Sequence, residues 1–205
     1  FRTDSEFRSK PEFFKAVGLV RSGKIGQLKM IRFAAPAYDQ MCPPLPMQPT
    51  MPVPAELDYD MWLGPAPWAP YTEQRVHAAR DVDETYSRPG WYGNRTYCDG
   101  GICNWGHHIA DNVQWGNNSE HTGPVEIEGH GEFPPLDYLH NGIQGWEVHY
   151  RFADGVEAFY INSDRSPSKQ PTGIRFEGTE GWVSVVPSVF RRILNSPGFR
   201  VFTTS

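Results

Sequence analysis

The stretch Gly145-Trp146-Glu147-Val148-His149-Tyr150-Arg151-Phe152 decides the fold, because apolar or aromatic side chains alternate in it with polar ones. A period of two residues is typical of a β-strand with one buried face. The turn sequence Ala153-Asp154-Gly155 follows, and Val156–Asn162 returns as a second strand, so the pair predicts a β-hairpin. The polar side of the first strand predicts a second sheet face that is solvated or contacts another subunit; its residues are Glu147, His149 and Arg151.

Other strand and helix signals surround this hairpin. Ile174–Glu177 and Trp182–Val186 flank a glycine-bounded turn, which predicts a second hairpin, and alternation predicts strands over Val125–Gly131 and Leu28–Ala34. Near the start, residues 11–22 carry an apolar stripe with helical period, and Gly23 is placed to end that helix. Successive hairpins with few helices predict an α+β fold: a mixed, mainly antiparallel open β-sheet with helices on one face.

Two long segments lack either periodicity. Residues 35–70 hold ten of the nineteen prolines, which excludes regular helix and central strand. The end of this segment, Leu57–Trp68, carries too many large apolar residues for a solvated linker, so we expect it to pack across a surface. Residues 85–103 form a second loop, rich in glycine and aromatic residues.

The strongest chemical signal is Gly100-Gly101-Ile102-Cys103-Asn104-Trp105-Gly106-His107-His108-Ile109-Ala110-Asp111. We predict a helix from about Asn104 to Trp115, on which Asn104, His108 and Asp111 share one face. An amide, an imidazole and a carboxylate on one wall suit proton transfer on a small polar substrate. The alternative is a histidine that is hydrogen-bonded inside the helix for structural reasons. The glycine pair, which lets a ligand come close, and Asp111 one turn on favour the functional interpretation.

Other chemistries find weaker support in the sequence. Zinc could be bound by His107, His108, Asp111 and His121, with Cys103 nearby, but zinc-binding helices usually space their ligands at i and i+4, so we predict no metal site. There is no G-x-S-x-G nucleophile motif. Strand alternation explains Glu126, Glu128 and Glu147 better than a glycosidase pair does. Because G-x-G-x-x-G and P-loop motifs are both lacking, the chain alone has no recognisable means of holding a dinucleotide.

Size and composition narrow the functional classes further. The 205 residues are 39% hydrophobic and 14% aromatic, which is enough for one sizeable domain or two small ones, and we predict a single domain over residues 1–205. The net charge of −5, with no run of Lys or Arg, argues against a nucleic-acid partner. No apolar stretch approaches the ~20 residues that a membrane-spanning helix needs. Cys42, Cys98 and Cys103 lack the spacing of a metal site or a disulfide framework and are interpreted as free thiols.

Five segments match a known pattern in the same order: Arg21–Gly26, Asp60–Pro67, Gly100–Asp111, Tyr150–Gly155 and Phe176–Trp182. They resemble, in turn, the sGkIG segment, the WLGPAP signature of a sugar-associated and often exported bacterial branch, the GG…D-x-G-x-H-x-x-D motif, and two later hairpins. Together these belong to the C-terminal domain of the glucose–fructose oxidoreductase / inositol dehydrogenase / MocA (Gfo/Idh/MocA) family. The motifs are individually moderate and jointly specific, and the resemblance covers nearly the whole chain.

The resemblance implies the substrate-binding half of an NAD(P)-dependent oxidoreductase that acts on a sugar or polyol hydroxyl. In that family an N-terminal Rossmann domain binds NAD(H) or NADP(H) and supplies a lysine that helps catalysis. Neither is found in this sequence, so we expect a fragment that begins where the Rossmann domain ends and binds no cofactor by itself.

Residue by residue, the resemblance assigns three catalytic positions. His108 matches the acid–base histidine, which takes the hydroxyl proton as hydride leaves for the nicotinamide. Asn104 matches a position that is Asp in many dehydrogenases. Since Asn holds a hydroxyl but cannot accept its proton, His108 would act alone or with the missing lysine. Asp111 matches the last acid of the motif and is expected to support the helix. The substrate contacts predicted beside them are His107, Trp105, Tyr92 and Arg95.

Two other functions stay open at this stage. One is an NAD-dependent glycoside hydrolase of the same superfamily, which the Asn at position 104 makes more credible. The other is a non-catalytic carbohydrate-binding or assembly module. The expected partners are a sugar-like small molecule, the missing Rossmann domain, and further copies of the chain that form a homo-oligomer through the sheet face. Both bacterial cytoplasm and periplasm fit the sequence.

Overall fold

The computed structural model describes residues 5–36, 43–77, 90–162 and 171–187. Its helices are α1 (Pro11–Arg21), α2 (Tyr59–Leu63), α3 (Glu73–Val76) and α4 (Gly101–Gly116), with 3₁₀ turns at Glu6–Ser9 and Gly90–Gly93. Its strands are β1 (Leu28–Ala35), β2 (Pro124–Glu132), β3 (Gly145–Phe152), β4 (Glu157–Asn162), β5 (Gly173–Gly178) and β6 (Trp182–Val185).

These residues group into two compact units. The first contains the described residues of 5–36, 105–130 and 146–187, and the second those of 43–104 and 131–145. The expectation of one domain over residues 1–205 stays a prediction. None of the helices in the described ranges has the length and apolar character needed to cross a membrane.

The first unit is built on a six-stranded sheet in the order β2-β3-β4-β1-β5-β6. Strand β1 runs parallel to β4 and antiparallel to β5, and the pairs β3/β4 and β5/β6 are antiparallel. The sheet is therefore mixed and mainly antiparallel, which confirms the predicted fold class. Both predicted hairpins are present, and each strand begins and ends within two residues of its predicted bounds.

One face of this sheet forms the core. Phe33 and Tyr160 lie opposite each other in the parallel pair, and their rings stack at 4.5 Å. Helix α4 packs on this face through glycines: a Cβ added at Gly106 would meet the Tyr160 hydroxyl at 2.3 Å, and one added at Gly116 would meet the Phe176 ring at 2.3 Å. Because a side chain at either position would push the helix away, these glycines set its close approach.

The other face of the sheet carries half-exposed rings and charges. The guanidinium of Arg32 lies 5.4 Å from the centre of the Phe159 ring, on which His149 stacks at 4.4 Å. Arg175 lies 4.1 Å above Trp182 in the same way. The polar side predicted for β3 is therefore present, and it continues across β1, β4, β5 and β6.

The second unit has a small aromatic core of its own. Tyr59, Leu63, Tyr71 and Val76 are buried in it, with Leu57, Trp62 and Tyr97 packed against them. Asp58 starts α2, since its carboxylate accepts a hydrogen bond from the Met61 amide at 3.0 Å. The expectation that Leu57–Trp68 packs on a surface holds for Tyr59 and Leu63, whereas Met61 and Trp68 are 79% and 77% exposed.

His140 ties the proline-rich segment to the rest of this unit. It is 2% exposed, and its ring nitrogens lie 3.2 Å from the Pro43 carbonyl oxygen and 3.1 Å from the Gln74 carbonyl oxygen. Its backbone also exchanges two hydrogen bonds with Leu45. One buried side chain thus joins three separate stretches of the chain.

We predict that His140→Ala destabilises the chain by about 2–3 kcal/mol, because it leaves a cavity and removes the ring N–H from which a buried carbonyl accepts. Chemical unfolding of the two proteins measures the difference. His130→Ala is the matched control, since His130 is exposed on β2. Equal stability of His140→Ala and the unsubstituted chain would show that the ring contacts with Pro43 and Gln74 do not stabilise the fold.

Candidate functional site

The start of α4 is set by a strained turn in the second unit. Asp99 and Gly100 both adopt positive φ angles, +60° and +74°. The Asp99 carboxylate accepts a hydrogen bond from the Ile143 amide at 3.1 Å, and the Gly100 amide donates to the Tyr92 carbonyl at 2.8 Å. The helix therefore begins at Gly101, three residues before the predicted start, because the Gly100 carbonyl already accepts from the Asn104 amide.

Helix α4 has two contrasting sides. Its buried side faces the sheet and consists of Gly106, Ile109, Val113 and Gly116. The opposite side carries half-buried Asn104, His108, Asp111 and Trp115, which recur at helical spacing. We call these four residues the polar stripe. The predicted trio of amide, imidazole and carboxylate thus shares one helix face.

The His108 ring rests on an aromatic support. Phe7, which is 1% exposed, lies 5.5 Å from it between ring centres, and Phe7 itself stacks on Phe13 at 4.7 Å. Trp105 also contacts Phe7, at 6.0 Å. Because Phe7 belongs to the 3₁₀ turn before α1, the N-terminal segment limits the movement of the histidine ring while leaving His108 half-buried.

The Asp111 carboxylate is held by the same N-terminal segment. Arg8 donates to both of its oxygens, at 2.5 and 2.8 Å, and the Ser5 hydroxyl donates to one of them. Arg8 also donates to Glu120 at 2.7 Å, and Arg21 bridges Glu120 and Asn118. A bidentate guanidinium–carboxylate pair is among the stronger and more directional contacts available to a partly exposed site.

This network changes the ionisation of its members. Burial raises the pKa of Asp111, but the hydrogen bonds from Arg8 and Ser5 outweigh it, so the pKa lies below its ordinary value. The hydrogen bond from Arg8 also lowers the pKa of Glu120, and that with Asp111 raises the pKa of Arg8. Asp111 is therefore a paired anion, a state suited to holding the helix in place.

The remaining predicted contacts divide between the two units. Trp105 and exposed His107 lie on α4 next to His108, with the two imidazole rings 5.4 Å apart. Tyr92 and Arg95 belong to the second unit. Tyr92 packs on Trp91 at 4.0 Å, and the Arg95 guanidinium lies 4.5 Å above the Phe133 ring and 3.8 Å from Asp99. Five of the seven predicted site residues lie on α4, and the remaining two, Tyr92 and Arg95, lie outside this helix.

Sequence reasoning missed the residues that support the polar stripe. Phe7 and Arg8 lie about a hundred positions before the residues they contact, and no local pattern connects the two regions. The available signal was limited to an aromatic and a basic residue just ahead of the first helix.

The cysteines show no reactive character. Among the described residues Cys98 and Cys103 are free, and burial raises the pKa of the Cys98 thiol to about 11. Cys42 lies outside the described residues. The described residues also contain no group of three or more His, Cys, Asp or Glu placed to hold a metal ion.

Among the described residues, no turn has the position that dinucleotide binding requires. The phosphates of a dinucleotide are normally held by a glycine-rich turn between a parallel strand and the helix that follows it. Here Gly23 and Gly26 lie in the reverse connection, from α1 to β1, and the glycines before α4 follow a 3₁₀ turn rather than a strand. The described residues therefore offer no cradle for the pyrophosphate of a nicotinamide dinucleotide.

Comparisons with known proteins agree with this fold. The family model described as "Oxidoreductase family, C-terminal alpha/beta domain" (GFO_IDH_MocA_C2) matches residues 44–197. No curated protein gives a significant match. Similar solved structures include GenD2 from gentamicin A biosynthesis in complex with NAD (15% identity, TM-score 0.52) and an oxidoreductase domain protein from Kribbella flavida (15% identity, TM-score 0.51). In each case the match covers 88% of this chain but only 38% of the other, so this chain spans well under half of their length.

We predict that Asp111→Asn lowers the free energy of unfolding by about 1–2 kcal/mol at pH 7, a value discounted because the pair is partly exposed. The loss should shrink on acidification. The folded pKa of Asp111 lies below the unfolded one, so its stabilisation is complete above the unfolded pKa and disappears as the pH falls through the folded pKa.

Urea unfolding of Asp111→Asn and the parent at several pH values, from neutral to strongly acidic, measures how this stability difference depends on pH. Asp137→Asn is the control, because Asp137 is exposed and makes no ion pair with any described residue. A stability difference between Asp111→Asn and the parent that stays constant over the whole pH range would contradict the assignment.

Proposed function

The chain belongs to the Gfo/Idh/MocA oxidoreductase family, and from this premise we propose that it is the substrate-binding half of an NAD(P)-dependent oxidoreductase acting on a sugar or polyol hydroxyl. The observation that carries the proposal is the polar stripe of α4, on which a half-buried imidazole, an amide and a fixed carboxylate share one face. Such a wall binds hydroxyl groups and can exchange a proton with one of them.

In this proposal His108 accepts the proton of the reacting hydroxyl. Its ring is oriented by Phe7, which lies against it, so the accepting nitrogen keeps a fixed position relative to the helix. Asn104 lies one turn earlier on the same face and holds a hydroxyl through its amide, without taking the proton. Asp111, one turn later, is a positioning residue: its bond to Arg8 locks α4 to the N-terminal segment.

Substrate contacts are proposed for His107, Trp105, Tyr92 and Arg95. The exposed imidazole of His107 offers a hydrogen-bonding group, and the indole of Trp105 offers a flat surface for the C–H face of a sugar. In the second unit, half-buried Tyr92 supplies a phenol and exposed Arg95 supplies a cation.

The nicotinamide cofactor belongs to another part of the complete protein in this proposal. NAD or NADP would accept hydride there, on a Rossmann domain joined to this chain. GenD2 was solved in complex with NAD, and this chain corresponds to 38% of that protein. The contribution of this chain is to bind and orient the substrate and to move its proton.

We also propose that the chain forms a homo-oligomer through the face of the sheet opposite α4, which we call the open face. The support is the row of half-exposed rings on that face, Phe159 and Trp182, each covered by an arginine. Aromatic and arginine side chains are the residues that protein interfaces favour. The charged neighbours keep this face compatible with water when it is not covered.

The catalytic assignment predicts that His108→Asn lowers kcat of the complete protein by about 10²–10⁴-fold, because it removes the proton acceptor, while KM changes much less. The assay is NAD(P) reduction with a panel of sugars and polyols. His121→Asn is the control, since His121 is exposed in the loop after α4.

Each alternative function has its own result in this assay. Activity of His108→Asn within a few-fold of the parent would favour a non-catalytic carbohydrate-binding module. Release of the aglycone from an aryl glycoside with no net NAD(P)H would indicate the glycoside hydrolase.

The oligomer proposal predicts that Phe159→Asp lowers the molar mass measured by light scattering to that of a single protomer. A carboxylate at the centre of the open face would be buried without a partner in the assembly. Met61→Asp, at a 79% exposed position of the second unit, should leave the mass unchanged. An unchanged mass of Phe159→Asp, or a parent chain that is already a monomer, would contradict the proposal.

A further inference from the structure

The second unit contains a buried arginine that has no carboxylate partner among the described residues. Arg75 lies on α3 and is only 5% exposed. Arginine is rarely buried to this extent unless it is paired with an anion. Arginine side chains in proteins do not lose their charge by deprotonation, so a buried one needs an anion or strong acceptors.

The contacts that Arg75 does make are weak ones. One terminal nitrogen donates to the Tyr97 hydroxyl at 3.3 Å, and the other points to the Met47 sulfur at 3.8 Å. The buried Nε atom has no hydrogen-bond partner among the described residues. A neutral phenol and a thioether replace little of the hydration that a guanidinium loses on burial.

A second unpartnered polar group lies one turn away. Thr72 immediately precedes α3 and is 2% exposed, and its hydroxyl also lacks a hydrogen-bond partner within the part of the chain that the structure describes. These two polar groups lie within four residues of each other, and neither has a hydrogen-bond partner among the described residues, so both are available to a ligand.

We propose that Arg75 anchors a binding site for the carboxylate group of a small organic acid. A carboxylate accepts two parallel hydrogen bonds from a guanidinium. The Tyr97 hydroxyl, whose oxygen accepts from Arg75, can donate its own proton to the same ligand. Of the described residues, Arg75 is the cation at this site, and one positive charge matches a single negative charge rather than a doubly charged phosphate.

The surroundings of the site suit an organic body attached to that carboxylate. The Trp62 ring lies 5.3 Å from the Tyr97 ring, and Tyr59 stacks beside Trp62 at 5.7 Å. Burial raises the pKa of Tyr59, and the positive charge of Arg75 acts in the opposite direction, so the guanidinium influences this aromatic cluster directly. Flat rings next to a cation favour an acid that carries a ring or another apolar face.

A ligand could reach Arg75 from the surface by displacing the Met47 side chain. This side chain is 54% exposed, yet its sulfur contacts the guanidinium, so Arg75 lies one flexible side chain below the surface. Methionine rotates about several bonds and is readily displaced. An incoming carboxylate would exchange the weak sulfur contact for charged hydrogen bonds. This site does not depend on the proposed redox reaction.

Calorimetric titration of the full 205-residue chain tests the proposal. The probes are benzoate, acetate and D-glucuronate, in a buffer free of other carboxylates, with benzamide as the neutral counterpart of benzoate and inorganic phosphate as the dianion. We expect at least one carboxylate to bind, benzamide and phosphate to bind at least tenfold more weakly, and Arg75→Met to abolish binding. Arg21→Met is the control and should bind as the parent does, because Arg21 is exposed at the end of α1 and paired with Glu120.

Two further variants keep the test independent of folding. Met47→Ala should tighten carboxylate binding several-fold, since no side chain then has to be displaced, and Tyr97→Phe should weaken it several-fold. Equal binding by Arg75→Met and the parent, tighter binding of phosphate or benzamide, or no binding of any carboxylate at tens of millimolar would each overturn the proposal.

Thermal unfolding without carboxylate gives a second, separate readout. If the buried charge is uncompensated, Arg75→Met should have a Tm equal to or above that of the parent, because a thioether of similar length fills the space without a charge. A clearly lower Tm for Arg75→Met would mean that the guanidinium already has its partner within the chain, and the proposal would fail.

Discussion

The close approach of α4 to the sheet is the constraint on which the rest of this structure depends. Gly106 and Gly116 leave no room for a side chain between the helix and the rings of Tyr160 and Phe176. Because the apolar side of the helix is fully used by this contact, its opposite side can carry polar groups without loss of the core. An imidazole, an amide and a carboxylate on one face are thus compatible with a helix whose Ile109 and Val113 are almost completely buried.

The polar side of the helix is in turn held by the N-terminal segment. Arg8 fixes Asp111 by two hydrogen bonds, and Phe7 supports the His108 ring. A reacting group has to be held within a fraction of an ångström of its working position, and such precision comes from neighbouring side chains rather than from the helix alone. The paired state of Asp111 supports a role in positioning the helix, and in the proposed function proton transfer is assigned to the His108 imidazole.

Much of the fold could be predicted from the sequence, because the strands of the second half alternate cleanly. Strand β3 spans the residues predicted for it, and α1 ends one residue before its predicted end. The start of α4 was missed because a strained turn at Asp99 and Gly100 let the helix begin earlier than the polar run suggested. Residue spacing could not identify Arg8 and His140, because their partners are distant in sequence. It could not identify Arg75 either, because the feature of interest is a buried charge without a carboxylate partner among the described residues. Burial and pairing are properties of the folded chain, and residue spacing does not report them.

The proposed function requires a hydrogen bond between the His108 imidazole and a hydroxyl group of the substrate. The most direct measurement is a crystal structure of the complete protein with its nicotinamide cofactor and a polyol substrate bound. We expect a substrate hydroxyl within hydrogen-bond distance, about 3 Å, of a ring nitrogen of His108, with Asp111 still bound to Arg8. A bound polyol that lies away from the polar stripe, with His108 contacting only protein, would contradict it.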